Sequence, residues 1–180
     1  CCTILDAISS VYHSDNANYF ILESQNTLSQ FTERIHLKNP DIQEKFFELL
    51  EFIVFQLNFV PCKELISLSI LLKSNHSISC SILCMKTLLN ILKHNAIFKD
   101  VYREVGILEV FVTCLNRYCS FLESHFNGTA AANYEEKVKQ LDDGESNEVL
   151  GKLILEALTI LMASNNNNSN VFRESGGAKT

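Results

Sequence analysis

The chain has 180 residues, 47% of them hydrophobic and 20% charged, with a formal net charge of -6. That composition excludes a disordered polypeptide, which lacks the apolar content to offset the entropy of ordering. It also argues against nucleic-acid binding, because the 15 Lys and Arg are scattered and form no cluster to face phosphate.

Residues 1–12 place Ile4, Leu5, Ile8 and Val11 at helical spacing, so the chain begins within a helix. Ser14-Asp15 caps a short second helix over 16–22, and a third spans 27–37. Asn39-Pro40-Asp41 predicts a firm helix start: an Asn cap, proline where its missing N–H costs nothing, and an acidic residue at the positive end of the dipole. The next helix runs to about residue 58 and is apolar on most of its circumference, with a thin polar stripe of Glu48, Glu51, Gln56 and Asn58. Such a helix has to be covered on several sides, as the inner helix of a stack is. Val60-Pro61 ends it. Helices over 62–73 and 77–93 come next, then a short one over 95–104, a turn at Gly106 and a longer helix over 107–122. The polar, acidic stretch 124–147 reads as an inserted surface loop, and 148–162 is again an apolar-faced helix. The four asparagines 165–168 cap that helix and separate it from the closing residues 171–176. No alternating strand pattern of useful length is present.

One phrase occurs twice, Val101-Tyr102-Arg103-Glu104-Val105-Gly106 and Val171-Phe172-Arg173-Glu174-Ser175-Gly176. The copies lie 70 residues apart, 106 to 176, too far for one armadillo or HEAT unit of about 40–47 residues. Excising the 124–147 loop brings the spacing into that range. Leu108, Phe111 and Leu115 open the helix after the first copy, and the same register holds upstream at Leu65, Leu68 and Leu72 and at Leu28, Phe31 and Ile35. About four units, the first and last incomplete, therefore fill 1–180. The predicted fold is all-α, an armadillo/HEAT-like right-handed α-α superhelix, a segment of a helical-repeat solenoid. Arg103, Glu104, Arg173 and Glu174 are then joints of a scaffold, because a structural motif recurs from unit to unit and a catalytic site is seldom duplicated.

The residues that carry chemistry elsewhere form no constellation here. Seven cysteines, an odd number, lie mostly on helices among leucines, which predicts buried free thiols and a reducing, intracellular setting. The sequons at Asn75, Asn127 and Asn167 would then go unglycosylated. His76, Cys80 and Cys84 share a helical face at i, i+4 and i+8, yet a structural zinc site needs a fourth ligand and usually a Cys-x2-Cys knuckle, and neither is present. Cys114 and Cys119, five apart, share no face. Nucleophile elbow, phosphate loop and zincin motif are all missing, so no catalytic, cofactor-binding or metal-binding residue is assigned, no cofactor is called for, and the chain is expected not to be an enzyme. The acidic residues Glu135, Glu136, Asp142, Asp143, Glu145 and Glu148 read first as a solvated face and second as a dock for a basic partner segment. The apolar runs of four or five residues fall far short of the roughly 20 that span a bilayer. Lying on lipid would need a basic amphipathic helix, and the best helices here are acidic or neutral. A chain opening at Cys1 without methionine or a signal-like region is expected to be part of something longer.

The stretches 12–20, 22–25, 61–67, 69–74, 85–89 and 97–101 resemble the amino-terminal armadillo-like region of the autophagy-linked FYVE branch of the BEACH proteins that carry WD repeats and a FYVE domain. The likeness covers nearly the whole chain and departs from it at 124–147 and 165–168. A sister branch that handles antigen in dendritic cells stays open as an alternative, as does a generic armadillo protein-interaction module. The resemblance implies a segment of a very large cytoplasmic scaffold, peripheral to autophagic or endosomal membranes, that acts in selective autophagy of protein aggregates. It implies protein partners from the autophagy machinery, no nucleic acid, and membrane contact only through phosphoinositide-binding modules outside these residues. No functional residue of the family maps onto this stretch.

Overall fold

The computed structural model describes residues 2–74, 76–127 and 134–177. Ten α-helices occur in order among the described residues: α1 (Cys2–Ser14), α2 (Asn18–Ser24), α3 (Thr27–Glu33), α4 (Pro40–Phe55), α5 (Cys62–Ser74), α6 (Ile78–His94), α7 (Phe98–Glu104), α8 (Ile107–Asn127), α9 (Tyr134–Met162) and α10 (Asn166–Glu174). A short 3-10 turn, Ile35–Leu37, comes after α3. The described residues contain no strand, so the fold is the predicted all-α class.

The helices stack in rows. Helix α1 packs on α4, α4 on α6 and α6 on α9, forming a first row. A second row runs α3, α5, α8. The short helices α2, α7 and α10 occupy the corners after α1, α6 and α9, and α7 and α10 touch each other. This side-by-side repetition is that of a helical solenoid, in which each element leans on its neighbours. The three sequence registers land in the second row, with Leu28 in α3, Leu65, Leu68 and Leu72 in α5, and Leu108, Phe111 and Leu115 in α8, all buried. Phe31 is half-buried, and Ile35 is fully buried in the 3-10 turn.

Helix α4 has the cover its circumference demands. Phe46, Phe47, Leu49, Leu50, Ile53 and Val54 are all buried, and at about 1.5–3 kcal/mol for each large apolar side chain it is a main source of core stability. Pro40 stands in its first turn as expected, although the Asn39 side chain makes no capping hydrogen bond. Polar links mark the row's register: Lys45 to Asp6 (2.5 Å), Asn90 to Glu51 (2.8 Å) and Lys93 to Glu156 (2.6 Å) join successive first-row helices. Being exposed, they contribute little stability. No single helix among the described residues is long and apolar enough to cross a membrane.

Three expectations are corrected. The stretch 124–147 is not one loop: 124–127 continue α8 and 134–147 begin α9, while 128–133 lie outside the described residues. Glu, Lys, Gln and Leu in that stretch are strong helix formers. The asparagine tract is not a spacer, since only Asn165 caps and 166–168 form the first turn of α10. His76 precedes α6, whose cap is Ser77, so it does not continue the face of Cys80 and Cys84.

Candidate interaction surface

The repeated phrase is a repeated corner. Helices α7 and α10 end alike: Gly106 and Gly176 have φ of 79° and 90°, and each amide donates to the carbonyl three residues back, Arg103 and Arg173, at 3.2 Å. Left-handed backbone at a helix end favours glycine. A third copy stands near the start. Helix α2 ends at Asn26, φ 53°, whose amide donates to the Glu23 carbonyl at 2.9 Å, asparagine being the other residue that tolerates this conformation. The corners also begin alike, with side-chain caps at equivalent positions. Asp15 accepts from the Ala17 amide (2.8 Å), Asn95 from the Ile97 amide (3.0 Å) and Asn165 from the Asn168 amide (3.0 Å).

The corners at α7 and α10 lock together through one buried asparagine. Asn168 is fully buried. It donates to the carbonyls of Lys99 (3.0 Å) and Leu161 (2.9 Å), and its Oδ1 accepts from Arg103 (2.9 Å). Arg103 also pairs with Asp100 (2.6 Å), which takes a further bond from Asn165 (3.2 Å), and these hydrogen bonds hold the Asp100 carboxyl below its usual range. Lys99 Nζ donates to the Ala163 carbonyl at 2.7 Å. Arg103 is thus the joint expected of it, but Glu104 points to solvent and meets Arg103 only at 3.9 Å. Arg173 repeats the local half of the motif by donating to Asn170 at 2.5 Å. Asn168 itself was invisible to sequence reasoning, because a four-asparagine tract gives no sign that one member is buried.

Beside the first corner lies an open apolar groove of about 480 Å³ between α1 and α2, lined by Ile4, Ala7, Ile8, Val11 and Asn18 among others. Ile4 is 63% and Val11 43% exposed.

The candidate metal residues form no metal site. Among the described residues no group of three or more His, Cys, Asp or Glu could hold a metal ion. His76 stacks on His36 at 4.7 Å. Cys80, Cys84 and Cys114 are buried free thiols. Burial pushes the Cys80 thiol up to about 11 and the Cys84 thiol well above its ordinary value, which leaves both protonated and poorly nucleophilic at neutral pH. Cys62 is exposed, and Cys119 is half-buried on α8. Of the acidic residues singled out, Glu135, Glu136, Asp142 and Asp143 have side chains outside those described, and Glu148 is tied to Lys152 at 2.7 Å.

Over 142 residues, 78% of the chain, the sequence is 30% identical to WD repeat- and FYVE domain-containing protein 4 of Mus musculus. It is 28% identical to the Homo sapiens protein of that name over the same length. The likeness supports the family and singles out no autophagy-linked member. The chain spans only 4% of the length of these relatives. No protein-family model matches the sequence, and no solved structure matches it significantly.

Proposed function

We propose that this chain is a non-enzymatic scaffold segment of a large WD-repeat, FYVE-domain BEACH protein, cytoplasmic and working in selective autophagy of protein aggregates. The observation that carries the reading is the similarity over 78% of the chain to proteins of that family. Stacked helices fit it physically, since a solenoid presents a long continuous surface on which peptides or domains dock. An armadillo-type unit of a short corner helix and two longer ones accounts for α7–α9. The partners are proteins, and phosphoinositide contact belongs to modules elsewhere in the parent. A scaffold for vesicle traffic or antigen handling is the second reading, favoured by relatives that carry the name of protein 4 and not of the autophagy-linked member.

Proximity labelling of the parent protein with and without these 180 residues tests the proposal. The expected result is loss of a defined set of protein neighbours and slower aggregate clearance, with membrane recruitment kept. An unchanged neighbour set and unchanged clearance would sink it, and lost neighbours with intact clearance would select the second reading.

A further inference from the structure

We infer that the α1–α2 groove is the seat of a two-helix segment built like α7–α8, contributed by a further unit of the same kind of stack. The argument is the equivalence of the first and last corners, 4–26 and 154–176. Ile4, Ala7, Ile8, Val11 and Asn18 hold the positions of Ile154, Ala157, Leu158, Leu161 and Asn168. All five of the latter are buried, none more than 2% exposed. The elements packed there are α6 and α8 against α9, and α7 and α8 against α10, and the α7–α8 part is the one shared by both halves of the corner. The same positions in α6, Cys84, Thr87, Leu88 and Ile91, are buried as well. Four apolar or small residues at i, i+3, i+4 and i+7 make the ridge that a neighbouring helix needs. In α1 that ridge is present, with Ile4, Ala7 and Val11 exposed and Ile8 half-buried against the core.

The polar half of the seat is present too. Asn168 is held by its donation to the Leu161 carbonyl, which leaves its Oδ1 for Arg103. Asn18 makes the equivalent bond to the Val11 carbonyl at 3.0 Å and lines the groove. An arginine at the position of Arg103 on an incoming corner helix would therefore find the same oxygen. A lysine at the position of Lys99 would find the carbonyl of His13, the counterpart of Ala163. The fitting segment is thus a short helix with Lys and Arg four residues apart, then glycine, then a helix with a Leu–Phe–Val–Leu ridge like that at 108, 111, 112 and 115.

The probe is a synthetic peptide of residues 95–122 of this chain, added to the intact chain. Hydrogen exchange and calorimetry should show 1:1 binding with new protection at 4–11 and 18–22. The double variant Ile4→Asp/Val11→Asp, at exposed positions, should weaken binding about tenfold or more, and Arg103→Ala in the peptide alone about tenfold. No binding, or binding that the double variant leaves unchanged, overturns the inference. Protection at 154–172 instead would mean exchange with the chain's own α7–α8, which overturns it also. Self-association of the chain without peptide, abolished by the double variant, would assign the groove to a second copy and overturn it too.

Discussion

Residues 4–26 and 154–176 build the same corner, a first-row helix turning through an Asp or Asn cap into a short helix that ends left-handed. One is sealed against α7 and α8 and the other is open. At equivalent positions Leu161 is fully buried and Val11 is 43% exposed. The difference teaches that local sequence makes the corner, whereas the preceding neighbours decide what its apolar ridge is worth. The sharpest way to break that comparison is one substitution made at both places. Leu161→Asp puts a carboxylate against packed apolar helices with no partner and is expected to cost at least about 4 kcal/mol, enough to unfold a marginal domain. Val11→Asp changes an exposed residue and is expected to stay within about 0.5 kcal/mol. Urea midpoints of the two variants decide it, and equal losses would mean that Val11 is covered as Leu161 is and that the first corner is not open.

The buried asparagine sharpens the same contrast. Asn168→Ala removes two donations to backbone carbonyls and strands Arg103 without its Oδ1 partner. A loss of about 2–3 kcal/mol is expected from several buried polar groups left unpaired. Asn18→Ala removes a bond to the Val11 carbonyl and a long one to the Ser14 hydroxyl beside an open groove, where water takes over, and should cost about 0.5 kcal/mol. A thermal melt that ranks them the other way would refute the assignment of Asn168 as the lock.

Much of this architecture was legible from residues alone. The α4 circumference, the Leu28, Leu65 and Leu108 registers and the two glycine-ended phrases are all local patterns, and they fell where periodicity put them. Three things were not legible, each for a physical reason. The corner at 4–26 hides because Asn26 does the work of glycine and Leu22-Glu23 stands where Tyr102-Arg103 does, so the backbone repeats without the letters. Helix α9 hides because its first half shows no apolar periodicity, and propensity alone is a weak prior. The division of the Arg-Glu pair hides because Arg103 is drawn inward by Asn168, a residue 65 positions away, and nothing local distinguishes it from Glu104. For the site, the ridge of α1 was visible as helix spacing, but that it stands uncovered is a tertiary fact.

The smallest expected contrast concerns what lies under the open corner. Glu64, in the first turn of α5, is buried, and neither carboxyl oxygen meets a hydrogen-bond partner from another residue. Tyr12 of α1 also has a buried, unpartnered hydroxyl, pushed up to about 12 by burial and then by the nearby Glu64 carboxylate. Tyr19 of α2 is shifted the same way, first by burial and then by Glu64 and Glu23. Burial raises the Glu64 carboxyl itself; its own backbone amide opposes the shift, the Glu23 carboxylate adds to it, and Lys63, which bridges to Glu23 at 2.8 Å, opposes it. Because the folded state holds this proton more tightly than the unfolded chain does, the group favours folding fully below the ordinary glutamate range. That contribution is lost as pH rises through the raised value. Asp100 and Glu148, whose carboxyls are held low by hydrogen bonds, act in the opposite sense and lose their contribution on acidification. The clean quantity is therefore the difference between Glu64→Gln and the native chain at each pH. The variant should be equal to the native chain near pH 4 and more stable by about 1 kcal/mol at pH 7, where it removes a buried unpaired charge. A difference that does not change between the two pH values would show that Glu64 is solvated, and that the first corner sits more loosely on α5 than the packing of Tyr12 and Tyr19 implies.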